Sequence, residues 1–205
     1  MIMGLGGTMD DWPPEVIAEL SREYQLILLD NRGMGFTTGD SQPFNYRLFA
    51  DDVVGLLDAL GVERANVLGF SMGSAITEEL LTAHPQRFEK AILYAPTTDA
   101  TNMISALTNI NLKDEIVARQ IEAAKLWKAP LNKLAAITNQ VMLLVETATN
   151  KLARVEKTDE MAPAIPGVWL IQFKKGKRHL MNQEPAEFAT LVSNFLDMNE
   201  TIGTR

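Results

Sequence analysis

Cysteine is absent from this 205-residue chain. Its absence excludes a disulfide scaffold, a thiolate zinc site and a cysteine nucleophile. Histidine is scarce, with only His84 and His179, so a multi-histidine metal site is not expected. Bases are outnumbered, with 19 Lys and Arg against 26 Asp and Glu and a net charge of −7. Without a basic face, nucleic acid and anionic membrane surfaces are poor partners. No apolar run approaches the ~18 residues that a membrane span needs. Met1-Ile2-Met3-Gly4 has neither a basic n-region nor a long apolar h-region, so no signal peptide is read there. Asn199-Glu200-Thr201 fits a glycosylation acceptor, but without a secretion signal it reads as chance. The chain is therefore expected to be cytoplasmic.

What is present is an ordinary globular composition, 46% hydrophobic and 22% charged. The length predicts a single domain over 1–205 with a real core. Five short apolar runs alternate with helix-period segments: Gln25–Leu29, Ala65–Leu68, Ala91–Tyr94, Val141–Val145 and Val168–Phe173. That beat predicts an α/β fold, with a mostly parallel sheet whose strands are buried on both faces. Asp11 is expected to cap a first helix with Pro13 in its first turn and Val16, Ile17 and Leu20 on its apolar face. A second helix carries Phe49, Val53, Leu56, Leu57 and Leu60 and stops at Gly61. A third spans about Ser71 to Ala83, ahead of Pro85. The last runs from Pro185 to about Leu196 and packs through Phe188, Leu191, Val192 and Phe195. Thr97 to about Ile137 breaks the beat. It reads as a cap-like insertion, amphipathic from Asp114 to Trp127, with Val117, Ile121 and Ala124 on one face.

Gly69-Phe70-Ser71-Met72-Gly73 is a G-x-S-x-G motif. Ala65–Leu68 enters it as a strand and Ser74–Leu81 leaves it as a helix. A nucleophilic serine needs this sharp turn, which flanking glycines permit. The turn sets Ser71 at a helix N-terminus, whose positive end favours a developing oxyanion. The Met72 N–H is then one oxyanion donor. A tight βα turn with no chemistry is the plain alternative.

With these residues in hand, the sequence resembles the α/β-hydrolase fold family, a three-layer α/β/α sandwich. It is most similar to small bacterial esterase- or lactonase-like hydrolases with a compact cap. Met3-Gly4-Leu5-Gly6-Gly7 resembles the family's His-Gly-x-Gly oxyanion loop, with Met3 in the histidine place. Leu28-Leu29-Asp30-Asn31-Arg32-Gly33-Met34-Gly35 resembles its D-x-R-G-x-G segment. Ile165-Pro166-Gly167 and Glu184-Pro185-Ala186-Glu187-Phe188 also fit. The resemblance implies that the Leu5 N–H is the second oxyanion donor.

The pattern departs from the family in three places. The family sheet begins with strands ahead of the oxyanion loop, and here only Met1–Met3 precedes Gly4. The expectation is a truncated sheet in which Gln25–Leu29 becomes a bare edge that invites dimerisation. For the base, His84 lies 13 residues after Ser71 on the same helix, ~20 Å away, and cannot serve. His179 follows the last strand, as the family base does, although an ungapped match back from Pro185 puts Arg178 in that place. For the acid, Thr149 and Asn150 occupy the usual site. Asp99 is the first substitute and Glu146 the second, and Asp99 could equally be a helix cap.

A dinucleotide fingerprint, Gly4-x-Gly6 with Asp30, is disfavoured because Met9 holds the third glycine position. The reading is a serine hydrolase acting on a small-molecule ester, lactone or related acyl substrate through an acyl-enzyme. Ser71 and His179 are catalytic, and Leu5 and Met72 form the oxyanion hole. Met34, Met72, Met103, Ile104 and Leu107 are candidates for an apolar acyl pocket, with core packing as their alternative. No metal or organic cofactor is implied, and a homodimer through the sheet edge is the expected self-association. The rival is a catalytically weak member of the fold that binds a small molecule or partner.

Overall fold

The computed structural model describes residues 1–99, 114–146, 155–173 and 180–198. Four strands, β1 (Ala65–Phe70), β2 (Phe88–Tyr94), β3 (Gln140–Glu146) and β4 (Trp169–Phe173), pair in parallel in the order β1-β2-β3-β4. The register runs Phe70↔Tyr94, Tyr94↔Leu144 and Leu144↔Ile171, so the strand ends are level. Each strand contains or overlaps an apolar run read from the sequence.

Alternate residues of these strands face opposite layers, as a period of two dictates. Val67, Ala91, Leu93, Val141, Leu143 and Val145 join one core cluster. There they meet α2 (Tyr46–Ala59), through Phe49, Val53 and Leu57, and α3 (Met72–Ala83), through Ile76 and Leu80. Leu68, Ile92, Tyr94, Met142 and Leu144 face the other way. They pack on α1 (Pro14–Leu20) and α8 (Pro185–Asp197) through Val16, Leu20, Phe188, Val192 and Phe195. The result is a three-layer α/β/α sandwich.

Between β2 and β3 lie α4 (Glu115–Leu126) and α5 (Leu131–Leu134). The Asp114 side chain caps α4 by accepting from the Ile116 and Val117 N–H groups. Val117, Ile121 and Ala124 are buried. Among the described residues the remaining helices are α6 (Val155–Ala164) and α7 (Leu180–Gln183).

Three local expectations are corrected. Asp11 does not cap α1. It ends a short 3₁₀ turn, Met9–Asp11, and accepts the Thr8 N–H at 2.8 Å, while Pro13 precedes the helix. Leu60 is 54% exposed, because α2 ends at Ala59 and the chain turns away at Gly61, φ +68°. Gln25–Leu29 is not a strand. Only Leu29 bridges, in parallel, to Ile2, which bridges Gly69 on its other side. The Met1 amine reaches the Ile27 carbonyl at 2.7 Å, and burial lowers its pKa to about 5. Beside it a cavity of about 270 Å³ is lined by Ile27, Leu57, Val67 and Leu196 among others. Among the described residues the Ile2–Leu29 bridge is the one pairing of this stretch, so residues 25–28 join no ladder.

Candidate active site

The β1–α3 turn is fixed by contacts that leave no room for larger residues. A Cβ on Gly69 would lie 2.1 Å from the Gly73 carbonyl oxygen, and one on Gly73 2.1 Å from the Ile2 carbonyl oxygen. The two motif glycines therefore let strand, helix and the Met1–Met3 segment touch backbone to backbone. Between them Ser71 takes φ +55°, ψ −112°, a conformation that non-glycine residues rarely adopt. Such a residue costs ~1–3 kcal/mol and persists only where its surroundings over-determine it.

Here the surroundings do so. The Ser71 N–H donates to the Tyr94 carbonyl at 2.9 Å. The Ser74 hydroxyl, fully buried, is within 2.7 Å of both the Gly69 and the Tyr94 carbonyl oxygens. Its N–H donates to the Ser71 carbonyl at 2.9 Å. Thr77 Oγ1 donates to the Gly73 carbonyl at 2.8 Å. Ala95, just past β2, also has positive φ, +52°. Two strained residues thus stand at the carboxyl ends of adjacent strands.

The Gly4–Gly7 turn lies against this serine. A Cβ on Gly4 would come within 3.2 Å of Ser71 Cβ. The turn is closed by the Gly7 N–H to the Gly4 carbonyl at 3.1 Å, with Gly6 at φ +72°, as a type II turn requires at that position. Among the described residues, four side chains hold the turn and its flanks. Asn31 Nδ2 donates to the Met3 carbonyl at 3.2 Å. Asp30 accepts the Met9 N–H at 2.7 Å and the Phe36 N–H at 2.9 Å. Asp11 holds Thr8, and Gln120 Oε1 accepts the Gly6 N–H at 2.8 Å. Among the described residues, no acceptor meets the Leu5 or the Met72 N–H. Asp30 is buried and committed to these two donors, which leaves it no part in binding a ribose.

The other expected residues fall unevenly. His84 ends α3 and contacts Asp51 Oδ1 at 2.9 Å, remote from the turn in sequence and structure. His179 and Arg178 lie outside the described residues, as do Thr149, Asn150, Met103, Ile104 and Leu107. Asp99 is half-buried beyond β2. It bridges Lys128, whose Nζ is 3.6 Å from its carboxylate. Glu146 ends β3 in register with Phe173. The Met72 side chain is fully buried in the core, and Met34 packs at the core's margin. No group of His, Asp or Glu among the described residues is arranged to hold a metal.

Sequence reasoning did not find Ser74 or Gln120. Each carried a signal. Ser74 is a small hydroxyl residue within an otherwise apolar first turn. Gln120 shares the helical face of Val117, Ile121 and Ala124, where a polar side chain must find a buried partner.

The model of the family described as alpha/beta hydrolase fold matches residues 1–152. A Caulobacter sp. (strain K31) protein, provisionally named carbamate hydrolase RutD, is 37% identical over 91 residues, 44% of this chain. The matched stretch spans 34% of that relative's length. The solved enol-lactonase of Burkholderia xenovorans LB400 superposes with TM-score 0.74 at 22% identity, covering 96% of this chain and 90% of its own. MGS-M2, an alpha/beta hydrolase enzyme from a Medee basin deep-sea metagenome, superposes with TM-score 0.83 at 13% identity, covering 100% and 90%. At these identities the two structures speak for the fold alone.

Proposed function

The chain belongs to the alpha/beta hydrolase fold family, and from that premise we propose that it is a serine hydrolase of carboxylic esters or lactones. The observation that carries the proposal is Ser71 itself. It is a strained residue at the start of α3, with the Gly4–Gly7 turn against its Cβ. Strain of this kind is held where a side chain must be presented outward.

In this mechanism Ser71 Oγ attacks the carbonyl carbon, and its proton passes to His179. The oxyanion that forms accepts from the Leu5 and Met72 N–H groups and from the N-terminal end of the helix. The carbonyl reforms as the alkoxide leaves, taking the proton from His179. Water, deprotonated by the same imidazole, then cleaves the acyl-enzyme and restores Ser71. Asp99 is the first candidate to orient His179 and Glu146 the second. Loss of the orienting carboxylate drops turnover by orders of magnitude, so comparing Asp99→Asn with Glu146→Gln assigns the role. The domain is read as one unit, 1–205, with the insertion at 97–137 as a cap. No step requires a metal or an organic cofactor.

A fluorophosphonate tests the reading. Wild type is expected to be labelled at one site, and Ser71→Ala not at all. Equal labelling of both would overturn it. An unlabelled wild type would favour the rival, a member of the fold that binds small acyl compounds without turning them over.

A further inference from the structure

Among the described residues, the insertion between β2 and β3 hydrogen-bonds the proposed oxyanion turn through one side chain. Gln120, on α4, is fully buried. Its Oε1 accepts the Gly6 N–H at 2.8 Å across 114 residues of sequence. The orientation of this amide is not ambiguous, because only its oxygen can face an N–H donor. Its Nε2 is then left buried with no partner among the described residues.

A leucine or methionine in this place would pack without an unsatisfied donor. A glutamine here makes sense only if the accepted hydrogen bond outweighs the orphaned Nε2. That bond lies on the central peptide of the Gly4–Gly7 turn, the peptide that distinguishes type I from type II geometry. Flipping it would reverse Leu5 C=O and Gly6 N–H, one residue from the Leu5 N–H. Among the described residues, the remaining side-chain ties, from Asn31, Asp30 and Asp11, grip the chain at Met3, Met9 and Thr8 and not at that peptide.

We propose that Gln120 is a positioning residue for the oxyanion turn: by accepting the Gly6 N–H it holds the turn open to Ser71 and ties the insertion helix to the site. This rests on reading the Gly4–Gly7 turn as an oxyanion hole. Gln120 itself touches no reacting atom.

The test compares Gln120→Met, which keeps the shape without an acceptor, with Gln120→Glu, which keeps the oxygen. Both are measured for fluorophosphonate labelling and p-nitrophenyl acetate turnover. Gln120→Met is expected to lower the maximal labelling rate and kcat roughly tenfold, a fraction of what removing an oxyanion donor costs. Half-saturating concentrations and KM should stay within about twofold, as expected when only transition-state stabilisation is lost. Gln120→Glu should stay within about threefold of wild type on both readouts. Wild-type rates in Gln120→Met, or equal losses in both variants, would overturn the inference. If Gln120→Met does not fold, hydrogen exchange in the wild type decides: the Gly6 N–H should be protected, and fast exchange there would overturn it. Absence of Ser71 labelling in the wild type, with Gly6 still protected, would instead sink the hydrolase reading.

Discussion

The turn from β1 into α3 and the stretch Gln25–Leu29 both lean on Ile2, from opposite sides, and they differ in how they are held. At the turn, backbone meets backbone. Gly73 abuts the Ile2 carbonyl, Ile2 N–H donates to the Leu68 carbonyl at 2.8 Å, and Phe70 N–H to the Ile2 carbonyl at 3.0 Å. At Gln25–Leu29 one bridge and one terminal amine stand in for a ladder, and a cavity lies alongside. Strain at Ser71 is sustainable on the first side because backbone and Ser74 hydrogen bonds hold its neighbours. On the second side the backbone has slack, and residues 26–29 are only half-buried. The strained turn is built where the sheet is paired on both sides.

The largest expected effect tests what the rigid side is for. Ser71→Ala should abolish ester turnover, a loss of roughly 10⁶-fold if it is the nucleophile, and His179→Ala should cost orders of magnitude. His84→Ala should change little. Full activity in His179→Ala would remove the proposed base.

Next comes the packing of the turn. Gly73→Ala forces a Cβ into the Ile2 backbone and should cost ~3 kcal/mol, read as a shift in urea midpoint. Ile27→Ala, at the loose side, should cost ~1 kcal/mol, since its side chain is only partly removed from water. Equal losses would erase the contrast between the two regions.

The rigid side also carries a weak point. Glu78, on α3, is fully buried, and among the described residues neither carboxylate oxygen is paired. Burial, and then the neighbouring Glu79, push its pKa well above the ordinary 4.5. The folded state therefore holds this proton more tightly than the unfolded state. Its stabilising contribution is complete below the unfolded pKa and is lost as pH rises toward the folded one. The loss is at most ~1.4 kcal/mol per pH unit. Glu78→Gln should flatten this slope and raise the urea midpoint at pH 8 more than at pH 4. A slope unchanged by Glu78→Gln would show that this proton is not held.

The smallest effect concerns the edge. Residues 25–29 are proposed to self-associate, so sedimentation velocity should show a weak, concentration-dependent dimer that Ile27→Lys reduces. A monomer at every concentration would mean that the edge is sufficiently covered.

Much of the fold was legible because it rests on local periodicity. The runs Ala91–Tyr94 and Val141–Val145 are apolar on both faces, as a strand buried in a parallel sheet requires. Gln25–Leu29 has the same composition and did not become a strand, because a strand exists only with a partner along its length, and composition does not supply one. Leu60 shared the period of Val53 and Leu57, yet helix termination turned it outward.

By itself the sequence determined the α/β beat, the glycine-flanked Ser71 and the helix that leaves it, since each depends on residues adjacent in the chain. Only the tertiary structure decided which backbone atoms those glycines must admit, that Ser74 braces the turn, and that Gln120 reaches Gly6. The physical reason is that buried hydrogen bonds are satisfied by whatever the fold brings within 3 Å or so. For Gly6 that partner lies 114 residues away, beyond any spacing that local pattern can encode.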